Sequence, residues 1–194
     1  MTAGHVVDEP SDELAVLTPG AGGGWDVWSV LGIERHSTED VAVGLVPFIT
    51  SGAEVSYSPL KISAAPQYSS AEWMVWGYPE DVMYEVVAEG LAKPRPSLVY
   101  VAGYIRRRMP TDADVPAIRG RHLHECGGLA GPGCSGGPVI LRRLGDDWPI
   151  IGVYLGERLA PDRGLFVSYA ARADDLAEWV PGVLGQSLLN ESHG

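Results

Sequence analysis

The feature that most limits what this chain can fold into is the way glycine and proline punctuate it. Among 194 residues there are 25 glycines and 15 prolines, and they fall between short apolar runs. Such spacing leaves little room for long helices and favours strands joined by turns. Trp25 to Arg35 shows the pattern, with Val27, Ser29 and Leu31 on one face against Trp28, Val30 and Gly32 on the other. The same reading predicts strands from Leu14 to Thr18, Val41 to Val46, Leu60 to Ser63, Trp73 to Pro79 and Val82 to Val87. After a proline-rich turn around Pro94 and Pro96, it predicts further strands at Ser97 to Arg107, Ile118 to Glu125 and Pro138 to Arg143. Ile150 to Leu155 and Leu165 to Tyr169 complete the set. One helix is expected, from about Arg172 to Val180, with acidic Asp174 and Asp175 in its first turn and Pro181-Gly182 as its stop. Many short strands with one terminal helix describe an all-β protein of antiparallel barrels or a sandwich.

Charge and composition exclude several functions. A net charge of −11 argues against a nucleic-acid partner or an anionic membrane surface, which need a basic face. The short cluster Arg106-Arg107-Arg108 reads as a solvated strand end. No apolar run approaches the roughly 18 residues that a membrane-spanning helix needs, and no basic-then-apolar leader follows Met1. Hydrophobic content of 45% suits a chain able to bury a core. Cys126 and Cys134 are too few for a disulfide scaffold, and the sequence leaves open whether they pair or stay as thiols. Gly20-Ala21-Gly22-Gly23-Gly24 lacks the ending of a phosphate-binding loop and reads as a flexible turn.

The chemistry centres on Gly133-Cys134-Ser135-Gly136-Gly137-Pro138. Glycines around a serine allow a tight turn that exposes the hydroxyl while neighbouring N–H groups share the same space. Acyl transfer needs both, a nucleophile and donors for the oxyanion. A glycine-rich turn with an idle serine is the alternative. The motif also satisfies the nucleophile elbow of α/β-hydrolases, but that fold requires a helix directly after the serine and a histidine downstream. Here Pro138-Val139-Ile140 favour a strand, and the downstream histidine is His193 in a polar tail, so the elbow is rejected. His122 and His124 lie two apart and would share a strand face; a metal pair there is the alternative to a wet surface. His36 precedes a turn, and His5 sits among small residues.

Thr2-Ala3-Gly4-His5-Val6-Val7, Asp40-Val41-Ala42-Val43 and Gly133 to Pro138 together resemble the His, Asp and Ser segments of chymotrypsin-like (trypsin-fold) serine peptidases, in that family's order. Trp76-Gly77-Tyr78-Pro79, Ile151 to Gly156 and Gly164 to Val167 resemble later strands of the same family, so the likeness spans about Thr2 to Val180. It implies two six-stranded antiparallel Greek-key barrels, the first lacking its N-terminal strands, with a C-terminal helix. Residues 1–66 would form the incomplete first barrel carrying His and Asp, 72–180 the second barrel with Ser and the helix, and 181–194 a tail.

The implied activity is a serine endopeptidase acting on protein or peptide substrates, with His5 as base, Asp40 as its orienting carboxylate and Ser135 as nucleophile. Gly133 and Ser135 would supply the oxyanion hole, and Leu129, Tyr154, Gly156 and Gly164 the substrate pocket, with an apolar preference at P1. No cofactor and no metal are implied. Cys134 stands where secreted digestive members carry an aspartate that pairs with a freed N-terminus, so a constitutively formed site is expected; Cys134 as nucleophile is the alternative. Family members carry some thirty or more residues ahead of the histidine, which implies that Met1 is internal to a longer protein or that the chain is a fragment. A non-catalytic protease-fold binding domain is the competing function. Compartment and oligomeric state are not legible.

Overall fold

The computed structural model describes residues 1–8, 14–19, 25–47, 60–79, 83–88, 91–143 and 148–193. The first part is built from β1 (Thr2–Ala3), a 3₁₀ turn (Gly4–Val7), β2 (Ala15–Pro19), β3 (Trp25–Ser29), β4 (Gly32–Arg35) and β5 (Val41–Leu45). The alternating run from Trp25 to Arg35 is thus two strands, broken at Val30-Leu31, and the halves serve different sheets. β3 pairs antiparallel with β2, whereas β4 pairs with β5, which also takes β1 on its other side. The described residues here form a three-stranded sheet ordered β1-β5-β4 and a separate two-stranded ribbon, so a first barrel is not formed among them. The physical reason is that β1 contributes only the pairs Thr2↔Ala42 and Ala3↔Val41 and leaves the sheet with two edges.

The second part follows with β6 (Glu72–Gly77), β7 (Met83–Ala88), β8 (Leu91–Pro96), β9 (Val99–Arg108), β10 (Leu123–Gly127), β11 (Pro138–Leu141), β12 (Ile150–Ala160) and β13 (Leu165–Arg172). Six of these close into a barrel ordered β10-β13-β12-β11-β6-β9. After β6, β9 and β10 run side by side, β11 returns to lie against β6, which is a Greek-key connection. Inward residues are apolar at every second position, Trp73 and Val75 on β6 for example, and they meet Ile105, Val139 and Ile151 inside the barrel. Leu60 to Ser63 forms only an isolated bridge, Ile62 to Ile150.

The stretch around Pro94 and Pro96, expected as a turn, is instead strand β8, which among the described residues pairs with β7 alone. Proline is tolerated there because an edge strand need not donate from both sides. The expected helix shrinks to α1 (Ala173–Leu176), and a second, α2 (Leu188–His193), occupies the stretch read as a tail. It is no loose tail. Leu188 is 4% exposed in a core that also holds Ala3, Val41, Val153 and Leu176, so the end of the chain packs where the first sheet meets the barrel. The Ser192 hydroxyl takes the Ile62 N–H at 3.2 Å.

Candidate active site

Asp40 ends the bend before β5 and organises the start of the chain. Its carbonyl accepts the Gly4 N–H at 2.9 Å, and Oδ1 accepts the His5 N–H at 2.8 Å. Oδ2 lies 2.6 Å from His5 Nδ1. A carboxylate can only accept, so Nδ1 carries the proton, and in the neutral imidazole the free lone pair is then the one on Nε2. That is the tautomer a general base requires. Asp40 is 9% exposed, which limits competition from water for this charge-assisted bond.

The serine loop is shaped by its backbone. Gly137 N–H donates to the Cys134 carbonyl at 3.0 Å, and Gly136 N–H donates to the Tyr154 carbonyl at 2.8 Å, anchoring the loop to β12. Gly136 has φ of +89°, and a Cβ there would overlap Thr2 Oγ1 and come within 3.0 Å of Ala3 N. Only glycine lets the loop lie this close to β1, the strand that leads into His5. Ser135 thereby sits in the loop that touches the histidine-bearing segment, and its Oγ donates to the Leu155 carbonyl at 3.1 Å. Among the described residues, no backbone carbonyl takes the N–H of Gly133 or of Ser135.

Other expected site residues are dispersed. Leu129 is half-buried in the loop before the serine. Tyr154 is 1% exposed with its ring inside the barrel, so its side chain does not face a substrate. Burial, followed by its hydrogen bond to Glu157, pushes the Tyr154 hydroxyl well above the usual phenol range. Gly156 pairs with Tyr169 across β12 and β13. Gly164 does not join it: the pairs from Glu157↔Ser168 to Ala160↔Leu165 intervene, and Gly164 caps the 3₁₀ turn (Pro161–Arg163) at the hairpin tip. Cys134 points into the barrel core at 3% exposure, with its thiol donating to the Ala130 carbonyl at 3.1 Å, which removes it as an alternative nucleophile. Cys126 and Cys134 are both buried and no disulfide joins them, and burial pushes the Cys126 thiol up to about 12.

Arg106, Arg107 and Arg108 end β9, with Arg106 and Arg107 exposed as expected; Arg107 also bonds Glu125 at 2.8 Å, Arg106 lies 3.6 Å from the same carboxylate, and Arg108 pairs with Asp174 at 2.5 Å. One further expectation is corrected. His122 and His124 do not share a wet strand face. β10 begins only at Leu123, His122 stays outside it, and His124 is fully buried.

Sequence reasoning passed over two carboxylates. Glu157 Oε1 accepts the Gly131 N–H and the Tyr154 hydroxyl, each at 2.6 Å, and ties the loop before the serine to β12. Glu39, next to Asp40, is buried against Arg121 and His122. Neither stands out locally, because Gly131 lies 26 residues from Glu157, and Arg121 and His122 lie 82 and 83 residues from Glu39.

This barrel, sheet and loop arrangement is similar to a chymotrypsin-like fold. Among solved structures it is similar to Rv3671c from M. tuberculosis H37Rv, crystallised as a serine-to-alanine mutant in an inactive form. The TM-score is 0.58 at 22% identity, over 91% of this chain and 72% of that one. No family model and no curated protein matches the chain. Among the described residues, no helix is long and apolar enough to cross a membrane.

Proposed function

We propose that this protein is a serine endopeptidase, with Ser135 as nucleophile, His5 as general base and Asp40 as the carboxylate that orients it. The observation that carries this reading is the double grip of Asp40 on His5, through the backbone N–H and Nδ1, beside the loop that bears Ser135. In the reaction the Ser135 hydroxyl leaves the Leu155 carbonyl and gives its proton to His5 Nε2 as Oγ attacks the substrate carbonyl. Asp40 stabilises the resulting imidazolium, and the N–H groups of Gly133 and Ser135 bind the oxyanion. His5 then returns the proton to the leaving amine, and water hydrolyses the acyl-enzyme by the reverse relay. Leu129 and Gly156 are assigned to an apolar P1 pocket, without Gly164.

Incubation with a diverse peptide library tests the reading. Cleavage after apolar residues that disappears in Ser135→Ala is the expected result; cleavage chiefly after Arg or Lys overturns the pocket assignment. A non-catalytic binding domain is the second reading, favoured by the 3.1 Å bond that holds Ser135 Oγ on a backbone carbonyl. Catalytic hydrogen bonds often form fully only with substrate bound, which accommodates that bond within the first reading. A folded wild-type protein that cleaves nothing in the library supports the second.

A further inference from the structure

Consecutive residues at the end of the 37–40 bend each offer a carboxylate to an imidazole. Asp40 Oδ2 takes His5 Nδ1 at 2.6 Å, and Glu39 Oε1 lies 2.9 Å from His122 Nδ1. The first pair belongs to the small sheet, whereas the second reaches across to the segment entering the Ser135-bearing barrel. Glu39 Oε2 also accepts the backbone N–H of Arg121 at 3.0 Å and of His122 at 3.1 Å, and Thr38 Oγ1 donates to Oε1 at 3.1 Å. The fit is close: Gly120, at φ +115°, would put a Cβ 2.8 Å from Oε2, so any larger residue there displaces the carboxylate. Burial works to raise the Glu39 carboxyl, and the hydrogen bonds from His122 and Arg121 outweigh it, holding the group ionised below its ordinary range.

Packing does not do this job alone. A cavity of about 190 Å³ lies around the bend, lined by Gly4, Arg35, Thr38, Glu39, Asp40 and Arg119 among others. Apolar contacts at the joint are non-directional, whereas reaction between His5 and Ser135 requires their relative placement to be fixed closely.

We propose that Glu39 is a positioning residue: anchored by Arg121 and His122 of the barrel, it fixes the Asp40 carboxylate, and through it His5, relative to Ser135. The inference rests on the serine-peptidase reading above. His122 extends the link, with Nε2 3.9 Å from Asp175 in α1 and its carbonyl accepting the Arg172 N–H at 2.9 Å. The chain of contacts therefore runs from α1 through His122 and Glu39 to the Asp40–His5 pair.

The test uses Glu39→Gln in the full chain, with two readouts. One is the rate at which a fluorophosphonate labels Ser135; the other is the downfield proton resonance of His5 Nδ1–H, which reports its bond to Asp40 without any turnover. The amide places an NH₂ where the carboxylate accepted, so the expected result is labelling slowed on the order of 10²-fold, with the resonance shifted or lost and the near-UV spectrum retained. His122→Gln, which keeps both backbone donors, is expected to move both readouts in the same direction by less, and it carries the test if Glu39→Gln fails to fold. Wild-type labelling and an unmoved resonance in a folded variant overturn the proposal. If wild-type protein does not label yet the resonance responds to Glu39→Gln, the reaction assignment fails and the positioning of His5 stands.

Discussion

Acid should weaken this fold through one histidine. His124 is fully buried on β10, and among the described residues neither ring nitrogen has a hydrogen-bond partner. Burial lowers its pKa from 6.5 to about 4, with Arg108 and Arg172 adding to the shift and Asp174 opposing it. The folded protein therefore keeps His124 neutral while the unfolded chain takes up a proton as pH falls below 6.5. Stability is fully present above the unfolded value and is lost as pH drops through the folded one. The gap corresponds to about 3 kcal/mol once protonation is complete, and about 2.5 kcal/mol of it is lost between about pH 7 and about pH 4.5. That is a large share of the ~5–15 kcal/mol typical of a domain. Other acidic groups also titrate in this range, so the measurement is a difference: urea melts of wild type and His124→Leu across that interval. His124→Leu also removes two buried unpaired nitrogens, each costing roughly 1–3 kcal/mol when unsatisfied, and should be no less stable at neutral pH. The stability difference between the two should widen by about 2.5 kcal/mol in favour of the variant as pH falls. A constant difference would show that His124 titrates normally and refute the argument.

Three further outcomes follow from the site. Gly136→Ala combines a φ of +89° with overlap against Thr2, so it should cost on the order of 1–2 kcal/mol in backbone strain alone; it should also slow Ser135 labelling on the order of 10²-fold, measured by denaturant melts and probe kinetics. Glu157→Gln weakens the support of the Gly131 and Tyr154 bonds and should slow labelling while leaving near-UV circular dichroism unchanged. Cys126 and Cys134 are buried and, for Cys126, shifted up to about 12, so an aromatic disulfide reagent should titrate both thiols only after unfolding; rapid reaction in the native protein would contradict their placement.

The barrel was legible because most of its strands obey local rules: apolar residues fill the interior, and Gly or Pro ends runs such as β6, β10 and β12. β8 was missed for the converse reason, since Pro94 and Pro96 forbid a central strand but not an edge paired on one side. The serine loop could be found because its backbone requires small residues at positions that sequence displays. His5 and Asp40, 35 residues apart, were joined by resemblance and order, whereas their 2.6 Å contact belongs to the folded chain. Glu39 was not legible as part of the site, because its partners Arg121 and His122 lie 82 and 83 residues away. His124 read as solvated because a two-residue spacing says which face a side chain shares, but not which face is covered.

The central claim concerns one hydroxyl, and mapping a fluorophosphonate adduct by mass spectrometry tests it most directly. The account predicts a single adduct on Ser135 in the folded wild-type protein, absent in Ser135→Ala and strongly reduced in His5→Ala and Asp40→Asn. An adduct that forms equally well without His5, or a folded wild-type protein that takes none, would contradict it.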